Sequence, residues 1–235
     1  MQPLPIVGLI RELKVPLFGS LAAEDLAAVA PLLKHKQFAQ DQLVFSRGDR
    51  ADELFIILSG RMKLSVLAPD GRELTFRTAG PGEVVGEIAA LDGNVRSADM
   101  TAIRESEVLV LGRKSLASLL QSRPAFGLDV IHFLCRRVRD TTEQLESIAL
   151  YPIEARVARL LLALASQARN QSSLHAHADV SLAVSQTELA TVLGASRPKV
   201  NGAMRRLEKA GAIRRRGARL SCDLGKLREV AECTS

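Results

Sequence analysis

The fourteen residues Val85–Ala98, VGEIAALDGNVRSA, constrain this chain more than any other stretch. Gly86 lets a backbone approach a bound group closely. The short apolar run after it, with Ile88 and Ala89, is long enough for one helical turn whose N–H groups lack intrahelical acceptors and can point at an anion. Arg96 adds a planar positive fork suited to a phosphate, Glu87 can accept a hydrogen bond from a sugar hydroxyl, and Ser97 can donate one to a phosphate oxygen. Together they read as a cradle for a phosphate and its sugar. A surface ion pair between Glu87 and Arg96 is the simpler alternative, and it leaves the glycine, the alanines and the serine without a reason. The neighbouring Gly80-Pro81-Gly82 and Gly86 brush against a dinucleotide fingerprint, but with one residue too many before the last glycine and no long helix to follow.

Around the cradle, residues from about 36 to 111 break into short runs rich in Val, Ile, Leu, Phe and Thr. Turn signals at Gly48-Asp49, Ser59-Gly60, Pro69-Asp70-Gly71 and Gly80-Pro81-Gly82 separate runs such as Leu54–Leu58, Met62–Leu67 and Leu74–Thr78 at hairpin spacing. The expectation is an all-β roll or barrel preceded by a short helix over residues 21–34. From Arg123-Pro124 to Leu150 the period changes: Ile131, Leu134, Val138, Thr141, Leu145 and Ile148 recur at alternating steps of three and four, an a/d seam suited to pairing with the same helix of a second copy. Tyr151-Pro152 ends that helix and marks a hinge. Residues 154–167 read as a further helix, and residues 169–179 as a polar connection.

Charge separates the two ends of the chain. Residues 1–150 hold 18 Lys/Arg against 19 Asp/Glu, a net of −1, whereas residues 151–235 hold 14 against 7, a net of +7. Between Arg197 and Arg219 nine basic residues face a single acidic one, Glu208, so the partner of this end is a polyanion. Residues 185–207 have the grammar of a helix-turn-helix. Ser185 and Glu188 form a capping box, Leu189, Ala190 and Leu193 an inner face, Gly194 the turn, Ser196 the cap of the second helix, and Pro198 sits where its missing N–H is harmless. Val200, Ala203, Met204 and Leu207 turn inward. Arg197, Lys199, Asn201 and Arg205 are left outward to meet bases and phosphates. Residues 212–221 read as two short strands around Gly217, a wing whose arginines, Arg215 among them, lie on the phosphate backbone. A basic helix pair binding RNA or an acidic protein is the rival; with 3% aromatic residues there is no stacking platform for single-stranded RNA.

The remaining composition excludes other classes. Cys135, Cys222 and Cys233 form neither a CxxC pair nor a metal-ligand spacing, which speaks for a reducing cytoplasm and against a metal site. His175 and His177 have no convergent acids. No nucleophile–base motif points to an enzyme, and neither a signal sequence nor an apolar run long enough for a membrane is present.

The cradle resembles the phosphate-binding cassette of cyclic-nucleotide-binding domains. The order of cradle, long helix, hinge and winged helix resembles the CRP/FNR family of bacterial transcription regulators, most closely its cyclic-AMP receptor branch, over nearly the whole chain. The resemblance implies an α+β architecture in three parts: a cyclic-nucleotide-binding β-roll (1–122), a dimerisation helix and hinge (123–151), and a winged helix-turn-helix (152–235). It also implies that Gly86, Glu87, Ile88, Ala89, Arg96 and Ser97 hold a cyclic nucleotide, cyclic AMP before cyclic GMP, without a metal. Aligning the family's dimer helix on residues 136–143 adds Arg137 and puts Thr141 and Thr142 at the base-contacting pair. The implied partners are a pseudo-palindromic DNA operator, a second copy of the chain and RNA polymerase. The base-reading glutamate of the family is replaced by Pro198 and its second base-reading arginine by Gly202, so the operator should differ from the family's familiar site. The oxygen-sensing branch needs an N-terminal cysteine cluster, and the first cysteine here is Cys135. A relative that is permanently competent for DNA, or senses another effector, is the alternative.

Overall fold

The computed structural model describes residues 3–67, 69, 73–169, 177–181, 189–190, 192–216 and 219–233. They fall into two units that meet within one long helix, Met1–Arg139 and Asp140–Ser235.

The first unit begins with α1 (Pro3–Glu12) and α2 (Ala23–Val29), then runs through eight strands. These are β1 (Leu33–Phe38), β2 (Leu43–Phe45), β3 (Glu53–Ser59), β4 (Met62–Leu67), β5 (Glu73–Ala79), β6 (Val84–Val85), β7 (Asp99–Ala102) and β8 (Ser106–Gly112). They form two antiparallel four-stranded sheets, in the orders β1-β8-β3-β6 and β2-β7-β4-β5. The short helix α3 (Glu87–Asp92) sits between β6 and β7, and α4 (Arg113–Ser122) follows β8.

The near-continuous apolar runs of β3 and β8 are explained by burial on both faces. Leu54, Ile56, Leu109 and Leu111 pack into a cluster with Ile6, Ile10, Leu26, Leu116 and Phe126 from the helices. Their neighbours Phe55, Ile57, Val108 and Val110 turn to the other side, onto Met62, Leu64, Ala79 and Met100 of the second sheet. One sheet is thus the middle layer between helices and a second sheet. The helix expected over 21–34 is shorter than its apolar pattern, because Leu33 already pairs with Leu111 in the sheet. Helix α1, which no cap or turn signal announces, is held by the burial of Ile6 and Ile10.

The long helix α5 spans Pro124–Leu150 and α6 spans Ile153–Arg169, so the break falls at Tyr151-Pro152. Arg159 stacks on the Tyr151 ring at 3.5 Å and donates through Nε to the Ala231 carbonyl, which ties the break to the end of the chain. Along α5, Ile131, Val138, Leu145 and Ile148 are 54%, 65%, 66% and 44% exposed, an apolar stripe uncovered within one chain.

In the second unit, strands β9 (His177–Ser181), β10 (Ile213–Arg216) and β11 (Arg219–Asp223) form one antiparallel sheet in the order β10-β11-β9. Strand β9 takes up the last three residues of the connection expected over 169–179, of which residues 170–176 lie outside the described residues. Its single β-branched residue gives little signal of its own, and pairing with β11 supplies the order. Helices Arg197–Lys209 and Leu224–Ala231 complete the unit, the second capped by the Asp223 carboxylate, which accepts from Gly225 N and Lys226 N at 3.0 and 3.1 Å. Its core joins Val157, Ala158 and Leu161 of α6 to Leu189, Leu193, Val200, Met204, Leu207, Leu220 and Leu227.

Candidate ligand cradle and nucleic-acid interface

Strand β6 delivers the chain to Gly86, which has φ +76° and sits at the N-terminal cap of α3. A side chain there would be strained by the backbone, and its Cβ would stand 2.6 Å from Arg96 Nη1. That arginine is 4% exposed. Its Nη1 donates to the Gly86 carbonyl at 2.9 Å and its Nη2 to the Glu53 carbonyl at 2.7 Å, while the guanidinium lies 4.2 Å from the ring centre of Phe45 and 5.5 Å from that of Phe55. Burial pushes its pKa down, opposed by the surrounding Glu53, Asp49, Asp52 and Glu87, and an arginine starts so high that it stays charged. Two of the five N–H groups are thereby engaged, and buried Nε has no hydrogen-bond partner. A buried cation with spare donors is a place for an anion. The backbone at 96 is pinned as well, Arg96 N donating to Asp49 O and Gly48 N to Arg96 O, each at 2.9 Å.

Glu87 is 5% exposed, and its Oε1 lies 3.4 Å from Arg137 Nε. Arg137, on α5, also donates from Nη2 to the Val84 carbonyl at 3.2 Å and stacks over Phe133 at 5.1 Å. The structure therefore brings Gly86, Glu87, Arg96 and Arg137 together. Ala89 is buried in support, whereas Ile88 and Ser97 are exposed. Thr141 and Thr142 are exposed on α5, within the second unit. The sequence reading missed the partners of Arg96, because backbone carbonyls leave no trace in residue identity. It also missed Arg77 of β5, whose Nη2 reaches Glu83 Oε1 at 2.8 Å and which shares the Val84 carbonyl with Arg137. A charged residue two positions before buried Ala79 on a strand was the available signal.

In the second unit Leu189, Ala190 and Leu193 are buried, Gly194 makes the turn, and Val200, Ala203, Met204 and Leu207 face the core. Arg197, Lys199 and Arg205 are exposed and Asn201 is half-buried. Ser196 occupies the cap position, yet its hydroxyl caps nothing, so the first-turn N–H groups are not taken by that side chain. Arg206, expected only as part of the basic cluster, pairs with Glu154. Arg214 and Arg215 are exposed on β10, with Ile213 and Leu220 buried behind them. The capping box of Ser185 and Glu188, His175 and the wing tip at Gly217 lie outside the described residues. Among the described residues no group of three His, Cys, Asp or Glu could hold a metal, and no helix is long and apolar enough to cross a membrane.

Two family profiles match the chain: "Cyclic nucleotide-binding domain" over residues 35–123 and "Crp-like helix-turn-helix domain" over residues 155–230. The chain is 32% identical over 201 residues to the "CRP-like cAMP-activated global transcriptional regulator" of Mycobacterium tuberculosis, covering 86% of this chain and 89% of that protein. It is 29% identical to the "Cyclic AMP receptor protein" of Thermus thermophilus, covering 85% and 88%. Among solved structures, the Thermus thermophilus Catabolite Activator Protein superposes with a TM-score of 0.53 at 28% identity, covering 92% of this chain and 98% of that one.

Proposed function

Because this chain belongs to the CRP/FNR family of transcription regulators, with a cyclic nucleotide-binding domain and a Crp-like helix-turn-helix, we propose that it is a homodimer whose DNA binding is controlled by a cyclic nucleotide held at Arg96. The observation that carries the reading is the buried Arg96 guanidinium beside Gly86, charged and with donors to spare. A cyclic phosphate would take those donors, the backbone N–H groups of Ile88 and Ala89 and the Ser97 hydroxyl, while Glu87 would accept from the ribose hydroxyl. Thr141 and Thr142 would meet the base. Relatives named for cyclic AMP make it the first choice of effector, with cyclic GMP the alternative.

The exposed stripe on α5 supports pairing with a second copy, for four large apolar side chains on one helix are expensive to leave in water. Two paired winged helices would present their recognition helices to successive major grooves about 34 Å apart on a pseudo-palindromic operator. Ser196, Arg197, Lys199, Asn201, Arg205 and Arg215 would make the contacts. RNA polymerase is the further partner expected of a regulator in the cytoplasm.

A second reading has an observation in its favour. Arg96 and Glu87 already have partners inside the protein, so the cassette could be structural in a regulator that is permanently competent or answers another effector. The two readings part on whether nucleotide changes DNA affinity.

The DNA side makes its own prediction. Arg197→Ala should cost about 1–3 kcal/mol on the specific site and relax sequence preference, since an arginine at the head of the helix can bond both major-groove acceptors of guanine. Arg215→Ala should weaken specific and non-specific duplexes by a similar factor and lower the salt slope by about one unit. Binding to operator and scrambled duplexes at several salt concentrations checks both, and an untouched specificity ratio in Arg197→Ala would move the recognition surface elsewhere.

A further inference from the structure

The outward face of the recognition helix Arg197–Lys209 is bare along its middle. Val200, Ala203, Met204 and Leu207 are buried, which puts Pro198 and Gly202, one turn apart, at the centre of the opposite face. Neither has a side chain that can donate or accept, and a glycine inside a helix is destabilising relative to alanine. Arg206, one further turn along, fills the gap. A Cβ at Gly202 would stand 3.4 Å from its Nη1, 3.6 Å from Nη2 and 3.8 Å from Cζ. The guanidinium therefore lies back over the glycine, in the direction that helical side chains lean.

That guanidinium is held from one side. Its Nε donates to Glu154 Oε1 at the start of α6, and among the described residues neither Nη1 nor Nη2 has a hydrogen-bond partner. The arginine side chain is 59% exposed and the glutamate side chain 27%. An ion pair this exposed adds little to stability. Its effect on geometry is larger: a carboxylate on Nε fixes the plane of the guanidinium and leaves the two terminal nitrogens as a free fork.

We infer that Arg206, aimed by Glu154, reads a guanine in the major groove. The inference rests on the reading above, in which this helix enters DNA. Base edges lie beneath the middle of a helix in the groove and phosphates along its flanks, so a fork over Gly202 faces bases. Guanine presents O6 and N7 as adjacent acceptors that match two N–H groups, whereas adenine sets an amine beside its N7, so that donor would meet donor. With a proline and a glycine at the centre, the helix can approach closely enough for an arginine of the next turn to reach the base. Glu154 meanwhile repels the phosphate backbone, so it sharpens discrimination while lowering general affinity.

Half-sites selected from a random library by the full chain, with each cyclic nucleotide, test this. Each guanine of the half-site is replaced in turn by adenine and by 7-deazaguanine, which carries C–H in place of N7. The duplexes are titrated with the parent, Arg206→Ala, Arg206→Met, Arg197→Ala and Glu154→Ala, with thermal melts of each protein. Arg206→Met keeps a long stem over Gly202 and removes the donors. At one guanine the parent should lose about tenfold on the change to adenine and a smaller factor on the change to 7-deazaguanine. Both Arg206 variants should be indifferent to those changes at that position, while Arg197→Ala stays sensitive to them. Glu154→Ala should bind scrambled duplex more tightly than the parent and discriminate less. If a folded Arg206 variant keeps the parent's sensitivity at every guanine, or weakens selected and scrambled duplexes equally, Arg206 is a strut or a phosphate contact and the inference alone falls. A parent that melts cooperatively and prefers no duplex overturns the reading of the helix and this inference together.

Discussion

Arg96→Ala is expected to weaken cyclic-nucleotide binding by about 3–6 kcal/mol, two charge-assisted hydrogen bonds at roughly 1.5–3 kcal/mol each. It should also lower stability. The side chain bonds the carbonyls of Glu53 in β3 and Gly86 in the cassette and stacks on Phe45, so its loss takes a donor from each carbonyl, leaves Gly86 O with the longer bond from Ala90 N, and opens a cavity between strand and cradle. Arg96→Lys separates the two roles. An ammonium can serve one carbonyl and fill part of the space, yet it has no planar fork for a phosphate, so binding should stay weak while much of the stability returns. Calorimetry with both nucleotides and thermal melts of the three proteins check the pair. If Arg96→Lys binds as tightly as the parent, the fork is not what holds the phosphate.

Gly60→Ala should be among the most damaging single methyl additions in the first unit. The β3–β4 turn holds Gly60 at φ +83°, and a Cβ there would overlap both the Ser106 hydroxyl and the Glu105 backbone carbonyl. Ser106 cannot move aside, since it is fully buried, with Oγ accepting from Arg61 N at 3.0 Å and donating to Arg104 O at 2.8 Å. Left-handed strain of about 1–2 kcal/mol and overpacking of about 1–3 kcal/mol add to roughly 2–5 kcal/mol. At about 4 °C per kcal/mol for a unit of this size, the melting of the first unit should fall by about 8–20 °C. Gly8→Ala is the control: α1 leaves open space at that position, so the change should be neutral or stabilising by up to about 1 kcal/mol. Equal melting temperatures for Gly60→Ala and the parent would mean that the turn rearranges at little cost.

What the sequence made legible and what it hid divide along physical lines. The strands of the roll, the ends of α5 and the inner face of the helix-turn-helix follow from side-chain period and from Gly and Pro, which act locally. That Gly86 and Arg96 come together was legible because their types and spacing are unusual for a turn. Strand β9 was not, because its order comes from β11, some forty residues away. Nor was the pairing of buried Glu87 with Arg137, which depends on α5 packing against the roll and not on the residues between them. The Ser196 cap shows the opposite error: position and backbone angle are those of a cap, but the hydroxyl makes no such bond. Residue type fixes what a side chain can do, and packing decides whether it does it.

Coupling between the nucleotide and DNA is the centre of the account, and one measurement addresses it directly. Duplexes selected from a random library with and without nucleotide can be titrated with the full chain, by fluorescence anisotropy at fixed salt, in the presence of no nucleotide, cyclic AMP or cyclic GMP. The account predicts that one of the two nucleotides raises affinity for the selected duplex by about 5–150-fold, the range of a coupling free energy of 1–3 kcal/mol, and that duplex raises affinity for that nucleotide by the same factor. Identical DNA affinity under all three conditions would contradict it.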